Sequence, residues 1–339
     1  MISYAHGANT AEFARAIGVD RTEIIDFSSN INFVKPYIPD FSDFGLLYPY
    51  ESDGYLPLKQ KISAAYGISD GSFELYNGAS VAIFSLFSLL SPSVVSLYTP
   101  IYSEYKKISN IIGSKIECID RMRDTLRHPA KNSVVVFVNP STPDGTIYDV
   151  KAFLPIWSEA GCTVIVDESF LDFTDGDSVM GEVERYDNLY VVKSMTKYYG
   201  AAGVRVGFVA SCEKNIQKLQ SREPLWKLSG FDAWYISKAL EDSGFNDRSR
   251  RENGEAKAML CDVMESSGLF SQILPSSANY ICVKLKNNTA KKLQERLSES
   301  KILIRDCSNF DGLDESYARF AVREPKDIET LKFALRGLR

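Results

Sequence analysis

An α/β fold with a mostly parallel central sheet, helices on both faces and a smaller α+β domain is predicted from three observations. Short apolar runs without polar alternation recur at residues 75–76, 94–98, 134–138, 163–166, 189–192 and 206–209. Strands of that texture are covered on both faces, as in parallel sheets. Helical patterns alternate with them, at 79–90, 102–112 and 150–160. Past about residue 225 the texture changes to longer helices, at 232–240, 251–264, 290–297 and from 326 on, with strands at 280–285, 302–304 and 318–322 between them.

Ahead of the sheet, residues 11–17 read as a short helix stopped by Gly18. Residues 26–32 read as an extended segment, Pro36 and Pro39 mark a loop, and 55–66 form a helix. The expected organisation is an N-terminal arm over 1–45 that partly joins the small domain. A large domain follows over 46–225 and a small C-terminal domain over 226–339.

Composition sets the bounds. A chain of 339 residues with 45% hydrophobic content can bury a core without staples. Its net charge of −5 carries no electrostatic footprint for nucleic acid. The basic cluster Arg248, Arg250 and Arg251 alternates with Asp247 and Glu252 and reads as a solvated helix face. The six cysteines form no CxxC pair and the chain has two histidines, so no metal site is expected. Scattered thiols fit a reducing compartment. No basic leader with an apolar core opens the chain, and no apolar run reaches the ~18 residues of a membrane span. A cytoplasmic protein without membrane partners is expected.

The chemistry concentrates at residues 188–208. The strand 189–192 ends in Ser194-Met-Thr196-Lys197, followed by small residues 200–203 and Arg205. Strand ends are where ligands sit in α/β sheets. Two hydroxyls and an arginine suit a phosphate, and a lysine amine forms a Schiff base with an aldehyde. Together they describe pyridoxal phosphate (PLP). The tetrapeptide alone also fits a solvated lysine on a surface turn; Arg205, eight residues past Lys197, makes the pattern more specific. Asp167 closes another apolar strand, either as a cap or as a partner of the PLP ring nitrogen. At ~4 Å and an effective dielectric of about 20, that pairing contributes up to ~4 kcal/mol. The turn Gly78-Ala79-Ser80 opens a helix whose amides would hold a phosphate, or simply caps it. Tyr102 either stacks on a flat ring or faces the core.

This segment resembles the lysine segment of fold-type I PLP enzymes, the aspartate aminotransferase superfamily. Asn139-Pro-Ser-Thr-Pro-Asp-Gly145 resembles its Asn-Pro-x-Asn-Pro-Thr-Gly motif, with Thr142 in place of the asparagine that binds the phenolic oxygen of PLP. Asp167-Glu-Ser-Phe170 resembles Asp-Glu-Ala-Tyr, with Phe170 replacing a tyrosine that contacts the same oxygen. Tyr48-Pro49 resembles the segment whose tyrosine reaches the neighbouring subunit's cofactor phosphate. The resemblance therefore implies a PLP-dependent transferase fold and a homodimer with shared active sites. It assigns Lys197 and Asp167 as catalytic. Gly78, Ala79, Ser80, Tyr102, Thr142, Phe170, Ser194, Thr196, Arg205 and Tyr48 are assigned to the cofactor.

Two branches are resembled in particular, threonine-phosphate decarboxylase and histidinol-phosphate aminotransferase. His6-Gly-Ala-Asn, Asp26-Phe-Ser-Ser-Asn30-Ile-Asn and Ile304-Arg305 through Phe310 lean toward the first. Arg319 matches the carboxylate-binding arginine. His6, Asn30, Arg305 and Arg323 form a candidate cluster for a substrate phosphate, with His6 equally readable as a tail residue. The expected substrate is a phosphorylated amino acid, and the expected reaction decarboxylation or transamination. A PLP fold reused as a scaffold without turnover is the alternative from another class.

Overall fold

The computed structural model describes residues 7–42, 44–47, 49–50 and 53–338. Seven strands form the central sheet: β2 Phe73–Tyr76, β3 Val94–Thr99, β4 Lys115–Asp120, β5 Val134–Val138, β6 Thr163–Asp167, β7 Leu189–Ser194 and β8 Gly207–Ala210. β1 Ile25–Asp26 precedes them outside the sheet. The spatial order is β2-β8-β7-β6-β5-β3-β4, and only β8 runs against its neighbours. β5 and β7 are buried along their whole length. Their Val-rich sequences follow from that, since both sheet faces are covered. One face packs on Trp157, Phe137, Tyr198 and Met195, and the other on Leu86, Phe87, Tyr105 and Ile216.

β4 was not foreseen. Lys115-Ile-Glu-Cys-Ile-Asp alternates and is half exposed, because β4 is the sheet's outer edge and lacks the continuous apolar run used to find the others. The same holds for β9 Phe270–Ile273, the edge of a second, antiparallel sheet. That sheet has the order β12-β13-β10-β9, with β10 Tyr280–Leu285, β12 Arg305–Asp306 and β13 Tyr317–Ala321. β11 Ile302–Leu303 pairs in parallel with β1, and Phe27 packs into the small core with Leu260, Val283, Phe320 and Leu331.

Two expected boundaries move. Ile236 and Ala239 of helix Gly230–Glu241, a helix expected in the small domain, pack into the core of the large sheet. The changeover falls along the 23-residue helix Phe245–Ser267: Phe245 packs in the large core, and Ala256, Leu260 and Val263 in the small one. This helix starts before residue 251 because its polar first turns hide the periodicity. The expected helix 150–160 is interrupted: a 3-10 turn Val150–Ala152 leads into Leu154–Glu159, where Pro155 occupies a first-turn position. Among the described residues no helix is long and apolar enough to cross a membrane.

Asn32 ties the arm to both units. Its Nδ2 donates to Tyr198 O and Ser249 Oγ, both at 2.8 Å. Its Oδ1 accepts from Asn253 Nδ2 and from Val34 N–H. Its own N–H donates to the Lys197 carbonyl at 3.0 Å. The side chain is fully buried, so each lost partner leaves a dry polar group. Asn32→Ala should therefore lower stability by about 2–4 kcal/mol. Urea unfolding checks this, and an unchanged midpoint would mean that the clamp contributes nothing.

Candidate active site

The C-terminal ends of β5, β6 and β7 open into a cavity of about 300 Å³. Lys197 lies in the one-turn helix Met195–Tyr198 that follows β7, and its amine faces the cavity. It stands 4.2 Å from the centre of the Phe170 ring and 5.8 Å from that of Tyr102. Burial pushes its pKa down to about 8; the Asp167 carboxylate opposes this, while Arg319 and Arg205 add to it. Lys193, four residues earlier and fully buried, is ion-paired with Asp172 at 2.7 Å and does not line the cavity. The end of β7 separates the two: Lys193 lies within the strand and is paired with a carboxylate, whereas Lys197 lies in the helical turn after it and lines the cavity.

Asp167, at the end of β6, also lines the cavity and is nearly fully buried. Its Oδ1 accepts from the Ser169 N–H and its Oδ2 from the Tyr105 hydroxyl, each at 2.9 Å. At the other end of the cavity, Ala79 and Ser80 begin the 12-residue helix Ala79–Leu90. Arg205, Ser194 and Thr196 line the same end, with the two hydroxyls 3.1 Å apart. Gly78 sits beneath Arg205 with φ of +82°, and a Cβ there would meet Nη2 at 2.4 Å. No side chain other than hydrogen fits that position.

Tyr102 lines the cavity, with its hydroxyl 3.4 Å from Ser80 Oγ. Thr142 lines it too, and its Oγ1 accepts from Arg319 Nη1 at 3.0 Å, so this hydroxyl steers the arginine. Asn30, Arg305 and Arg319 complete the far wall. The Asn30 Oδ1 and Arg319 Nε are buried and have no hydrogen-bond partner among the described residues. Arg319 Nη2 donates to Ser28 O at 3.3 Å, and among the described residues no carboxylate pairs with this guanidinium. Arg305 donates to Asn309 Oδ1 at 2.7 Å, and its guanidinium lies 5.3 Å from the Phe310 ring centre. Burial first, and then the charge of Arg319, hold the Arg305 pKa below its ordinary value.

Arg323 is the exception among the described candidates. It does not line the cavity: Nε and Nη2 each reach Asp327 Oδ2 at 3.2 Å, at the start of helix Pro325–Arg336. Four residues past Arg319, it has left β13, and the backbone turn into the helix aims it at that carboxylate. His6 and Tyr48 lie outside the described residues. Sequence reasoning missed Tyr105, Ser28, Ser169 and Asn309. Three of them stand inside motifs that were read. Tyr105 had only its place three residues after Tyr102 on one helix, which a core tyrosine shares.

Residues 51–335 match the family described as Aminotransferase class I and II. The chain belongs to that family. It is 29% identical to the adenosylcobalamin biosynthesis bifunctional protein CobDQ of Leptospira interrogans, over 95% of this chain and 39% of that one, so it spans well under half of this relative. It is 26% identical to threonine-phosphate decarboxylase of Salmonella typhimurium, over all of this chain and 97% of that one. Among solved structures, histidinol-phosphate aminotransferase from Clostridium acetobutylicum matches with a TM-score of 0.81 at 26% identity, covering 92% of this chain and 98% of the other.

PLP is the cofactor of this family, and the residues fit it. A helix N-terminus, two hydroxyls and Arg205 suit its phosphate. Asp167 keeps lone pairs for its ring nitrogen, and Lys197 supplies an amine that is partly neutral near pH 7. The rate at which apo-protein captures PLP should climb roughly tenfold per pH unit below about 8 and flatten above it. Stopped-flow absorbance measures it. A rate still climbing at that pace well above about 8 would give Lys197 an ordinary lysine pKa.

Proposed function

We propose that the protein decarboxylates an amino acid bearing a phosphate ester, of the threonine- or serine-phosphate kind. The observation that carries this reading is the pair Arg305 and Arg319. They stand directly opposite each other in the β12–β13 ladder, 5% and 8% exposed, and both line the cavity. Two guanidiniums side by side on one cavity wall can each take one anionic group of a ligand. A phosphorylated amino acid brings a carboxylate and a phosphate.

Bound PLP supplies an electron sink for whichever Cα bond stands perpendicular to its ring. The protein decides which bond that is by clamping the substrate's anions. In this reading Arg319, aimed by Thr142 and the Ser28 carbonyl, holds the carboxylate. Arg305, braced by Asn309, holds the phosphate together with Asn30. The two clamps fix the Cα substituents relative to Lys197 and Asp167 on the opposite wall. Transamination on a histidinol-phosphate-like substrate is the second reading. Lys197 favours it, because an amine with a pKa near 8 can carry a proton to and from Cα at neutral pH.

Purified protein loaded with PLP should release carbon dioxide from threonine phosphate without a keto-acid acceptor. A requirement for 2-oxoglutarate, with glutamate formed, would replace this reading by the second. Arg305→Gln should lower kcat/KM for the phosphorylated substrate by roughly 10- to 150-fold, the worth of one charge-assisted hydrogen bond. The unphosphorylated amino acid should react poorly and lose little more in the variant.

We also propose that the protein works as a homodimer in the cytoplasm. All six cysteines are free thiols, as that compartment requires. Phe44, Leu46, Tyr50, Leu225, Trp226 and Phe231 are large apolar side chains left exposed. They are linked: Tyr50 stacks on Trp226 at 4.3 Å, and Phe44 and Phe231 both pack edge-on against Phe41. Exposed apolar clusters of this kind mark an interface. In the sequence, Leu46 and Tyr50 stand on either side of Tyr48, which the family resemblance gives to the neighbouring subunit. Sedimentation equilibrium should return twice the mass of 37.9 kDa. Trp226→Glu should shift the protein toward monomer, and a monomeric wild type would overturn the assignment.

A further inference from the structure

We propose that Tyr105 is a positioning residue for Asp167, fixing the carboxylate so that it presents a lone pair to the ring nitrogen of PLP. The proposal rests on the PLP reading of the cavity. The Asp167 carboxylate is held from two sides by two different elements. Ser169 N–H, two residues along the chain, takes Oδ1, and Tyr105 O–H, from helix Ser103–Ile111, takes Oδ2. Turning the carboxylate about its Cβ–Cγ bond would break both contacts. Each oxygen has two lone pairs, so one on each remains for a ligand.

Tyr105 is built to hold that position. It is fully buried, edge-on to Tyr102 with ring centres 6.4 Å apart and packed against Phe87 at 6.2 Å. Burial and the adjacent Asp167 charge push its pKa well above the ordinary phenol value, so it stays protonated and can only donate to the carboxylate. The other titratable and charged groups around Asp167 are Tyr102 at the start of the same helix and Lys197 beyond β7, with Arg205 and Arg319 behind that lysine. Of these, Tyr105 is the side chain that donates to the carboxylate directly. A hydroxyl there fixes where the carboxylate points, and a carboxylate facing the ring nitrogen would keep that nitrogen protonated.

A ring nitrogen that keeps its proton withdraws electrons and holds low the pH at which the visible band of the loaded protein switches. Tyr105→Phe retains the ring packing and deletes only the donor. That pH midpoint should rise by roughly 0.5–1 unit, a fraction of the ~1–2 units that a hydrogen bond to a charged group represents. The Kd for PLP should rise roughly 3- to 10-fold. With a PLP analogue carrying carbon in place of the ring nitrogen, wild type and Tyr105→Phe should give the same midpoint. An unchanged midpoint with PLP, or an equal shift with the carbon analogue, overturns the proposal. If the phenylalanine variant does not fold, 3-fluorotyrosine at position 105 decides: a stronger donor should move the midpoint down, and no movement overturns the proposal. Wild-type protein that takes up no PLP overturns the cofactor reading itself, and this shows before any variant is made.

Discussion

The chemistry of the cavity depends on the lowered amine pKa of Lys197, a half-buried residue of its wall. An exposed lysine is almost wholly protonated at neutral pH and a poor nucleophile; this one is held near 8 by desolvation, with two arginines pressing the same way. Asp167 is the counterweight. The fold builds this wall by ending three parallel strands at one level and bringing residues of a second sheet to the same cavity. Tyr280, from that second sheet, donates its hydroxyl to the Ser141 carbonyl at 2.7 Å and packs edge-on against Phe170. The loop after β5 and the ring beside the amine are thus fixed by the small domain.

The same arrangement divides the labour between the two units. The large sheet supplies the groups that suit the cofactor, Asp167, Ser194, Thr196, Lys197 and Arg205. The small sheet supplies Arg305 and Arg319, which suit substrate anions. Asn32 and Ser28 lie between, and the carbonyls of Lys197 and Ser28 are used by opposite sides of that joint. Any change in how the sheets sit relative to each other would therefore move the anion clamps with respect to the amine. Such geometry makes interface residues far from the chemistry matter for the reaction.

The large sheet was legible because parallel strands covered on both faces must be apolar throughout, and the lysine segment because hydroxyls, amine and guanidinium recur at fixed spacing along one strand end. Edge strands β4 and β9 were hidden because solvent on one side permits alternation and charge. Helix Gly230–Glu241 packs into the core of the large sheet, which was not legible because periodicity gives a buried face and says nothing of which core receives it. Arg323 illustrates a further limit. Along β13, Arg319 points into the cavity, but position 323 lies past the strand end, where a two-residue repeat no longer governs direction. Tyr105 failed in the opposite sense: its polar tip is functional while its body is ordinary core, and a sequence shows only the body.

Thr142 and Phe170 show how one cavity can keep a cofactor while changing its chemistry. The resemblance puts donors to the phenolic oxygen of PLP at both positions, and this chain carries a phenyl ring at one and a short hydroxyl at the other. The hydroxyl is engaged with Arg319, and the phenyl face lies 4.2 Å from the Lys197 amine. A cation over an aromatic face is favoured by about 0.5–2 kcal/mol, and it places the amine by attraction to a surface, a looser restraint than a hydrogen bond to one atom. Transamination needs the amine to act at two places, first taking a proton from Cα and then delivering it to another atom. Decarboxylation asks less of it, because the bond that breaks is chosen by the clamps on the anions. Weakened directional hold on the amine side, joined to two buried arginines on the substrate side, shifts control of the reaction from the base to the anion clamps. That shift is the physical ground on which the decarboxylase reading is preferred over transamination.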